Sequence, residues 1–133
     1  MKRFLASALA IGALLMTLLT VAPAQAAYPG SVPTSCYDSS LLTPVIKPGS
    51  RARVLVDVTT TGTARARGTV RLVLTRGDVR KVREVTYRGT PIKVYTARVY
   101  TGSWKLRVVF IPSKGSIYKR SAKDFARKVT VRR

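Results

Sequence analysis

The chain of 133 residues carries 25 lysine and arginine residues against 5 aspartate and glutamate residues, a formal net charge of +20, and it lacks histidine. The lack of histidine removes the commonest general base, the usual catalytic dyads and triads, and most zinc sites. The acidic residues are too scattered to suggest paired acid–base groups or a calcium loop. We therefore expect a protein that is not an enzyme and that uses no metal or cofactor.

The first segment, residues 1–26, has the three parts of a secretory signal. Lys2 and Arg3 give a positive start, an apolar run follows, and Ala24-Gln25-Ala26 forms a small-x-small cleavage site. A retained membrane anchor is the alternative interpretation of the apolar run. Cleavage at the predicted site would leave 107 residues, the size of one domain, with a net charge of +18. The protein is thus expected to be secreted, either free outside the cell or associated with the cell wall.

The next segment, residues 27–48, is rich in proline, serine and threonine, and its prolines exclude a long helix. It is interpreted as a flexible arm, in which Pro44-Val45-Ile46-Lys47 forms an edge strand of the following domain. Cys36, the only cysteine, lies in this arm, so no disulfide can form within the chain. Two interpretations of Cys36 stay open: an intermolecular disulfide that links a homodimer, and an unpaired thiol without consequence.

The domain predicted over residues 49–133 shows apolar residues at alternate positions, the period of half-buried strands. In the clearest strand, Trp104, Leu106 and Val108 alternate with basic residues, which predicts that Trp104 belongs to the core. Turn signals rich in glycine separate these runs. The predicted strands cover residues 51–58, 67–74, 79–87, 92–94 with a continuation towards 99, 104–110, and a last run with Phe125, Val129 and Val131.

No segment has the periodicity of an amphipathic helix, and β-branched residues dominate the apolar runs. Six or seven short strands, with turn signals every eight to twelve residues, predict an all-β, antiparallel β-sandwich of about seven strands. A barrel of the OB type, with fewer and longer strands, is the structural alternative.

A set of short motifs from residue 49 to residue 131 resembles the bacterial immunoglobulin-like (Big-type) repeat domains of secreted and surface proteins, especially those of actinomycetes. The motifs follow one another in the family's order: Gly68-Thr69-Val70, Gly102-Ser103-Trp104-Lys105-Leu106, Phe110, Tyr118-Lys119-Arg120-Ser121 and Val129-Thr130-Val131. The chain departs from the family at residues 111–115, where a Gly-Asp step is common, and in its single, strongly basic copy. The resemblance implies an immunoglobulin-like fold and an extracellular structural or binding role.

The strands around residues 67–74, 103–110 and 125–131 are predicted to share one sheet, whose outer face would form a basic plate. The members of this predicted plate are Arg67, Arg71, Lys105, Arg107 and Lys128. Such a plate attracts polyanions through Coulomb forces and counterion release. The alternative is a solvated face whose charge follows from composition alone.

These observations predict a secreted basic module that associates with anionic material of the cell envelope. Its partners would be teichoic acid, anionic lipid or nucleic acid, bound without specificity. Two alternatives stay open. One is a cell-surface module for adhesion or assembly that contacts another surface protein, and the other is a secreted cationic toxin or antimicrobial factor.

Overall fold

The computed structural model describes residues 30–133, and the predicted signal peptide, residues 1–26, lies outside the described residues. The described residues form strands and turns, with no helix that would be long and apolar enough to cross a membrane. The strands are β1 (Thr34–Ser35), β2 (Ser40–Leu41), β3 (Val45–Ile46), β4 (Arg53–Val56), β5 (Thr59–Thr60), β6 (Gly68–Arg76), β7 (Val79–Tyr87), β8 (Ile92–Tyr95), β9 (Ser103–Pro112), β10 (Ser121–Asp124) and β11 (Val129–Val131).

The larger sheet has six strands in the order β3-β11-β9-β6-β7, and β10 pairs with β9 beside β11. Strand β6 pairs with β7 on one side and with β9 on the other, both antiparallel. On the side of β9 away from β6, two short strands pair with different parts of β9. Strand β10 lies opposite Arg107 to Phe110, and β11 lies opposite Ser103 and Trp104. The sequence-based grouping of these strands into one sheet is confirmed.

The hairpin between β6 and β7 fixes the register of the larger sheet. Arg76 pairs with Val79, so the turn consists of Gly77 and Asp78 alone. Gly77 has a φ of 57°, while no residue other than glycine has a positive φ in the described chain. This combination is a type II′ turn, which demands glycine at its first central position and suits the twist of the flanking strands.

The smaller sheet has the order β2-β4-β8, with antiparallel pairs throughout. Strand β1 precedes β2 and strand β5 follows β4 along the chain. The antiparallel pairing of β1 with β5 therefore extends the pairing of β2 with β4. Ser39 bridges the interruption between the two pairs. Its Oγ accepts a hydrogen bond from the Asp57 amide at 3.1 Å and donates one to the Asp57 carbonyl at 3.3 Å.

The core lies between the two sheets and is built from the alternate apolar residues that the sequence predicted. The smaller sheet contributes Val54, Val56 and Val94, and the larger sheet contributes Leu72 and Leu106, among others. Trp104 is 3% exposed, and its Nε1 donates a hydrogen bond to the carbonyl of Thr101 at 2.8 Å. The predicted core position of Trp104 is confirmed.

The predicted boundary between a flexible arm (27–48) and a domain (49–133) needs correction within the described residues. Residues 34–46 contribute β1, β2 and β3 to the sheets, and Ile46 belongs to the core. The arm's prolines exclude helix but leave short extended pieces free to pair with distant strands. Only the expected edge strand near residue 45 is confirmed, at the outer edge of the larger sheet.

The expectation of a purely antiparallel sandwich also needs correction. Strand β3 pairs with β11 in parallel, with Thr130 opposite Val45 and Val131 opposite Ile46. Residues 30–133 are therefore all-β with one mixed sheet, in a two-layer arrangement consistent with a β-sandwich. Neither sheet closes on itself in the described residues, which argues against the barrel alternative.

Candidate functional site

The outer face of the larger sheet gathers basic side chains from β6, β7 and β9 into one region. The register places Lys105 and Arg80 on either side of Thr75, and Arg107 beside Val73. Neighbouring strands lie about 4.8 Å apart, so the backbones at Arg80 and Lys105 are about 10 Å apart across β6. Residues two apart on β9 are separated by about 7 Å. The cations are thus spaced closely enough to act on one ligand.

This region is a groove with an apolar floor and basic walls, and we call it the basic groove. Its volume is about 680 Å³. Val73 and Val109 form the floor; they are 5% and 6% exposed although they point away from the core. The long stems of arginine and lysine side chains cover such floor residues while their charged ends reach water. The lining residues are Arg71, Val73, Thr75, Arg80, Lys105, Leu106, Arg107, Val109, Arg120, Ala122, Asp124 and Phe125.

Both ion pairs formed by the described residues lie in this region. The Nε and Nη2 atoms of Arg71 contact Oε1 of Glu84 at 2.8 and 2.7 Å. The Nε of Arg107 lies 3.7 Å from Oδ1 of Asp124, and both side chains are more than half exposed. Exposed pairs of this kind contribute little to stability, but they neutralise part of the local charge.

Three cations of the basic groove have no acidic partner among the described residues: Arg80, Lys105 and Arg120. Arg80 and Lys105 come from strands on opposite sides of β6, and Arg120 directly precedes β10. These three side chains therefore carry the uncompensated charge of the groove.

A second hollow of about 310 Å³ adjoins the basic groove. Thr75 and Lys105 line both, and Lys128 lines the second hollow beside Ser103. The basic surface therefore extends along β9 towards Lys128.

The five residues of the predicted plate are distributed over three places. Arg71, Lys105 and Arg107 line the basic groove, and Lys128 lines the second hollow. Arg67 lines neither; it precedes β6, where its carbonyl accepts hydrogen bonds from the amide and the hydroxyl of Ser113. The structure thus brings three of the five together, places a fourth beside them and separates Arg67.

Sequence reasoning missed Arg80 and Arg120 as members of this surface. The position of Arg80 could have been predicted from the sequence, because a two-residue turn at Gly77-Asp78 sets Arg80 opposite Thr75 and hence near Lys105 across β6. No sequence pattern predicts the position of Arg120, because it depends on the path of the loop before β10.

Several other basic residues bind parts of the protein itself. Lys81 and Arg83 point from β7 towards the core side, where they donate to the carbonyls of Arg98 and Tyr95. Arg76 donates to Thr101 and lies 5.1 Å from the centre of the Trp104 ring. These cations hold loops and edges in place, so they are not free groups of the basic surface.

Lys123 is a further structural cation, and it joins β10 to the N-terminal strands. Its Nζ donates to the carbonyls of Tyr37 and Ser39 and lies about 5 Å from the ring centres of Tyr37 and Phe125. The turn between β1 and β2 is therefore fastened to the larger sheet.

The position of Cys36 contradicts its expected accessibility. Its side chain is 1% exposed and belongs to the core, and its Sγ lies 3.3 Å from Oγ of Ser121. Burial raises the pKa of the Cys36 thiol, while the contact with Ser121 acts in the opposite direction. A buried thiol with a raised pKa is a poor nucleophile, so the folded protein does not offer Cys36 for an intermolecular disulfide.

Within residues 30–133, no group of three or more histidine, cysteine, aspartate or glutamate side chains could hold a metal ion. Comparison of the chain with protein-family models, with curated proteins and with solved structures found no match.

Proposed function

We propose that the protein is a secreted, non-enzymatic, immunoglobulin-like module that binds anionic polymers of the cell envelope in the basic groove. The observation that carries this proposal is a group of three cations, Arg80, Lys105 and Arg120, around the buried floor of Val73 and Val109; residues 30–133 supply them with no acidic partner.

The immunoglobulin-like assignment is supported by the order in which the chain visits the two layers. It passes from β4 in the smaller sheet to β6 and β7 in the larger, returns to β8, and ends with β9, β10 and β11 in the larger. Immunoglobulin-type sandwiches alternate between their sheets in this way. The resemblance of the sequence motifs to bacterial immunoglobulin-like repeats points in the same direction.

The binding mechanism follows from charge and shape. A polyanion lying along the groove would place successive anionic groups near Arg80, Lys105 and Arg120, and its bound counterions would be released to the solvent. Arg71 and Arg107 would also bind the polyanion when its anionic groups displace Glu84 and Asp124 from their guanidinium groups. The apolar floor offers contact to the uncharged links between the anionic groups.

A polymer of phosphodiester-linked polyols, the chemistry of teichoic acid, fits this pattern of charged walls and apolar floor. It presents repeated phosphates joined by short carbon chains, whereas a flat anionic membrane meets the rims of a groove before its floor. Binding is expected to be broad, because lysine and arginine contacts to phosphates do not read a sequence.

The experiment compares two triple variants of equal charge. The groove variant carries Arg80→Ser, Lys105→Ser and Arg120→Ser, and the control variant carries Arg51→Ser, Arg88→Ser and Lys114→Ser, which are exposed and lie outside the groove. Affinities for purified teichoic acid, anionic vesicles and DNA are measured at low salt. We expect the groove variant to lose about tenfold more affinity for teichoic acid than the control.

Equal losses from both variants would mean that net charge acts diffusely and that the groove is no site. Failure of the unchanged protein to bind any of the three ligands would remove the polyanion proposal. Preferential binding and leakage of vesicles would favour the cationic toxin instead.

A further inference from the structure

The larger sheet ends in a long strand that has only one neighbour. Strand β7 pairs with β6 over nine residues and with no other strand among the described residues. The other edge strands of the described residues are short, with four residues in β8 and β10 and two in each of the rest. Short edges discourage pairing with foreign strands, whereas a long open edge invites it.

The register shows which backbone groups of β7 face outward. The turn hydrogen bond makes Arg76 and Val79 a hydrogen-bonded pair, and such pairs alternate along an antiparallel ladder. The same alternation predicts that the carbonyl of Leu106 points away from β6. It does, because it accepts a hydrogen bond from the amide of Phe125 on the other side of β9. The amides and carbonyls of β7 that point away from β6 are therefore those of Arg80, Val82, Glu84 and Thr86.

The charge of β7 selects the kind of strand that this edge accepts. It carries Arg80, Lys81 and Arg83 against Glu84, whose carboxylate is already bound by Arg71. A second copy would bring the same cations, and a net charge of +20 on each chain, against themselves, which is unfavourable. Carboxylates on an incoming strand would instead face Arg80 on the outer side of the sheet. On the core side they would lie near Lys81 and Arg83, which donate to the carbonyls of Arg98 and Tyr95 but have no acidic partner among the described residues.

We propose that the outer edge of β7 is a pairing site for an extended acidic segment of another protein, which adds a strand to the larger sheet. Val79 and Val82, at 46% and 42% exposure, supply apolar contacts between the charged positions. Backbone hydrogen bonds provide the affinity in strand addition, and alternate side chains provide the selectivity. This site uses the edge of the sheet and is separate from the floor of the basic groove.

The first test is amide hydrogen exchange of the purified protein, with and without a blocked peptide of about eight residues that repeats Glu-Glu-Val-Val, so that each face of the added strand carries carboxylates. In the free protein, the amides of Arg80, Val82, Glu84 and Thr86 should exchange quickly, while those of Lys81, Arg83 and Val85 are protected. When about nine-tenths of the protein carries peptide, exchange at the four outward amides should slow by about tenfold. A uniform change along β7, or none, would overturn the proposal.

The second test separates strand pairing from simple charge attraction. A peptide with the same carboxylates but two adjacent N-methylated residues cannot form the ladder, so it should bind at least about tenfold more weakly. Equal affinity of the two peptides would overturn the proposal. A lysine–valine peptide should not bind.

A variant at the edge gives a third, independent result. Val82→Pro removes an outward amide, which edge strands tolerate, and it should abolish peptide pairing while Val82→Thr keeps it. The Lys105→Ser and Arg120→Ser changes should leave peptide pairing intact while weakening polymer binding in the groove. The outcomes for the edge and for the groove are therefore distinguishable.

Discussion

At the scale of single residues, Cys36 shows how the surroundings of a side chain change its chemistry. The thiol is buried beside Ser121, and burial raises its pKa above the ordinary value of 9.0. The sequence placed this cysteine among prolines and serines, where a solvated thiol was the natural expectation. Its hydrogen-bonding contacts come from residues far along the chain, Phe110 and Ser121, the latter 85 positions away.

The raised pKa of Cys36 predicts a specific loss of stability at alkaline pH. As the pH rises past 9.0, the thiol of the unfolded chain loses its proton first, while the folded chain keeps it. The free energy of unfolding should therefore fall by up to about 1.4 kcal/mol per pH unit from this group, until the raised pKa is reached. Denaturant unfolding of the native protein and of Cys36→Ala from about pH 8 to about pH 10 measures the difference.

The Cys36→Ala variant should show a shallower decline over this range, whatever its stability at neutral pH. Parallel curves for the two proteins would contradict a buried thiol. Thiol titration provides the companion check, since the folded protein should react slowly and the denatured protein quickly.

Gly68 occupies a position that has no space for a side chain. A Cβ at this residue would lie 2.2 Å from the Ile111 carbonyl oxygen and 2.9 Å from the Pro112 Cα. Gly68→Ala should therefore push β6 and β9 apart at one end and lower the free energy of unfolding by about 3 kcal/mol. Thermal or denaturant unfolding measures this cost.

Gly115→Ala is the matched control, because Gly115 has a φ of 76° but no atoms within 4 Å of the position that a Cβ would take. It should cost only about 1 kcal/mol, from backbone strain alone. Similar losses for the two variants would mean that β6 and β9 do not approach closely at Gly68.

At the scale of elements, the long strands were predictable and the short N-terminal strands were not. Strands β4, β6 and β9 bury apolar residues at alternate positions, which is a signal that the sequence carries by itself. Strands β1 and β2 have two residues each, too few for a periodic pattern. They exist because distant strands offer free backbone groups, which is a tertiary effect.

The parallel contact of β3 with β11 gives the N-terminal segment a structural role that can be tested. A chain that begins at Gly49 lacks β1, β2 and β3 and leaves the core without Cys36 and Ile46. We expect it to lose several kcal/mol of stability and its cooperative thermal transition, compared with a chain that begins at Ala27. Circular dichroism during heating measures both chains, and equal transitions would restore the interpretation of residues 27–48 as a dispensable arm.

At the scale of the whole molecule, the charge was plain from composition, but its arrangement required the register. Alternation correctly placed Arg71, Lys105 and Arg107 on one outer face, because residues two apart on a strand point the same way. It could not show that Val73 closes the floor of a groove, or that Glu84 and Asp124 neutralise two of the cations. Those facts depend on which strands are neighbours.

The dependence of affinity on salt shows whether a polyanion binds the cations of the basic groove that have no acidic partner within residues 30–133. Duplex DNA serves as the probe, because the slope of log affinity against log salt is about −0.9 for each phosphate that the protein neutralises. The slope of the unchanged protein should exceed that of the Arg80, Lys105 and Arg120 triple variant by about three in magnitude, while the Arg51, Arg88 and Lys114 control keeps nearly the full slope. Equal slopes for the two triple variants would mean that the cations of the groove act no differently from those elsewhere on the surface and that the groove is not the binding site.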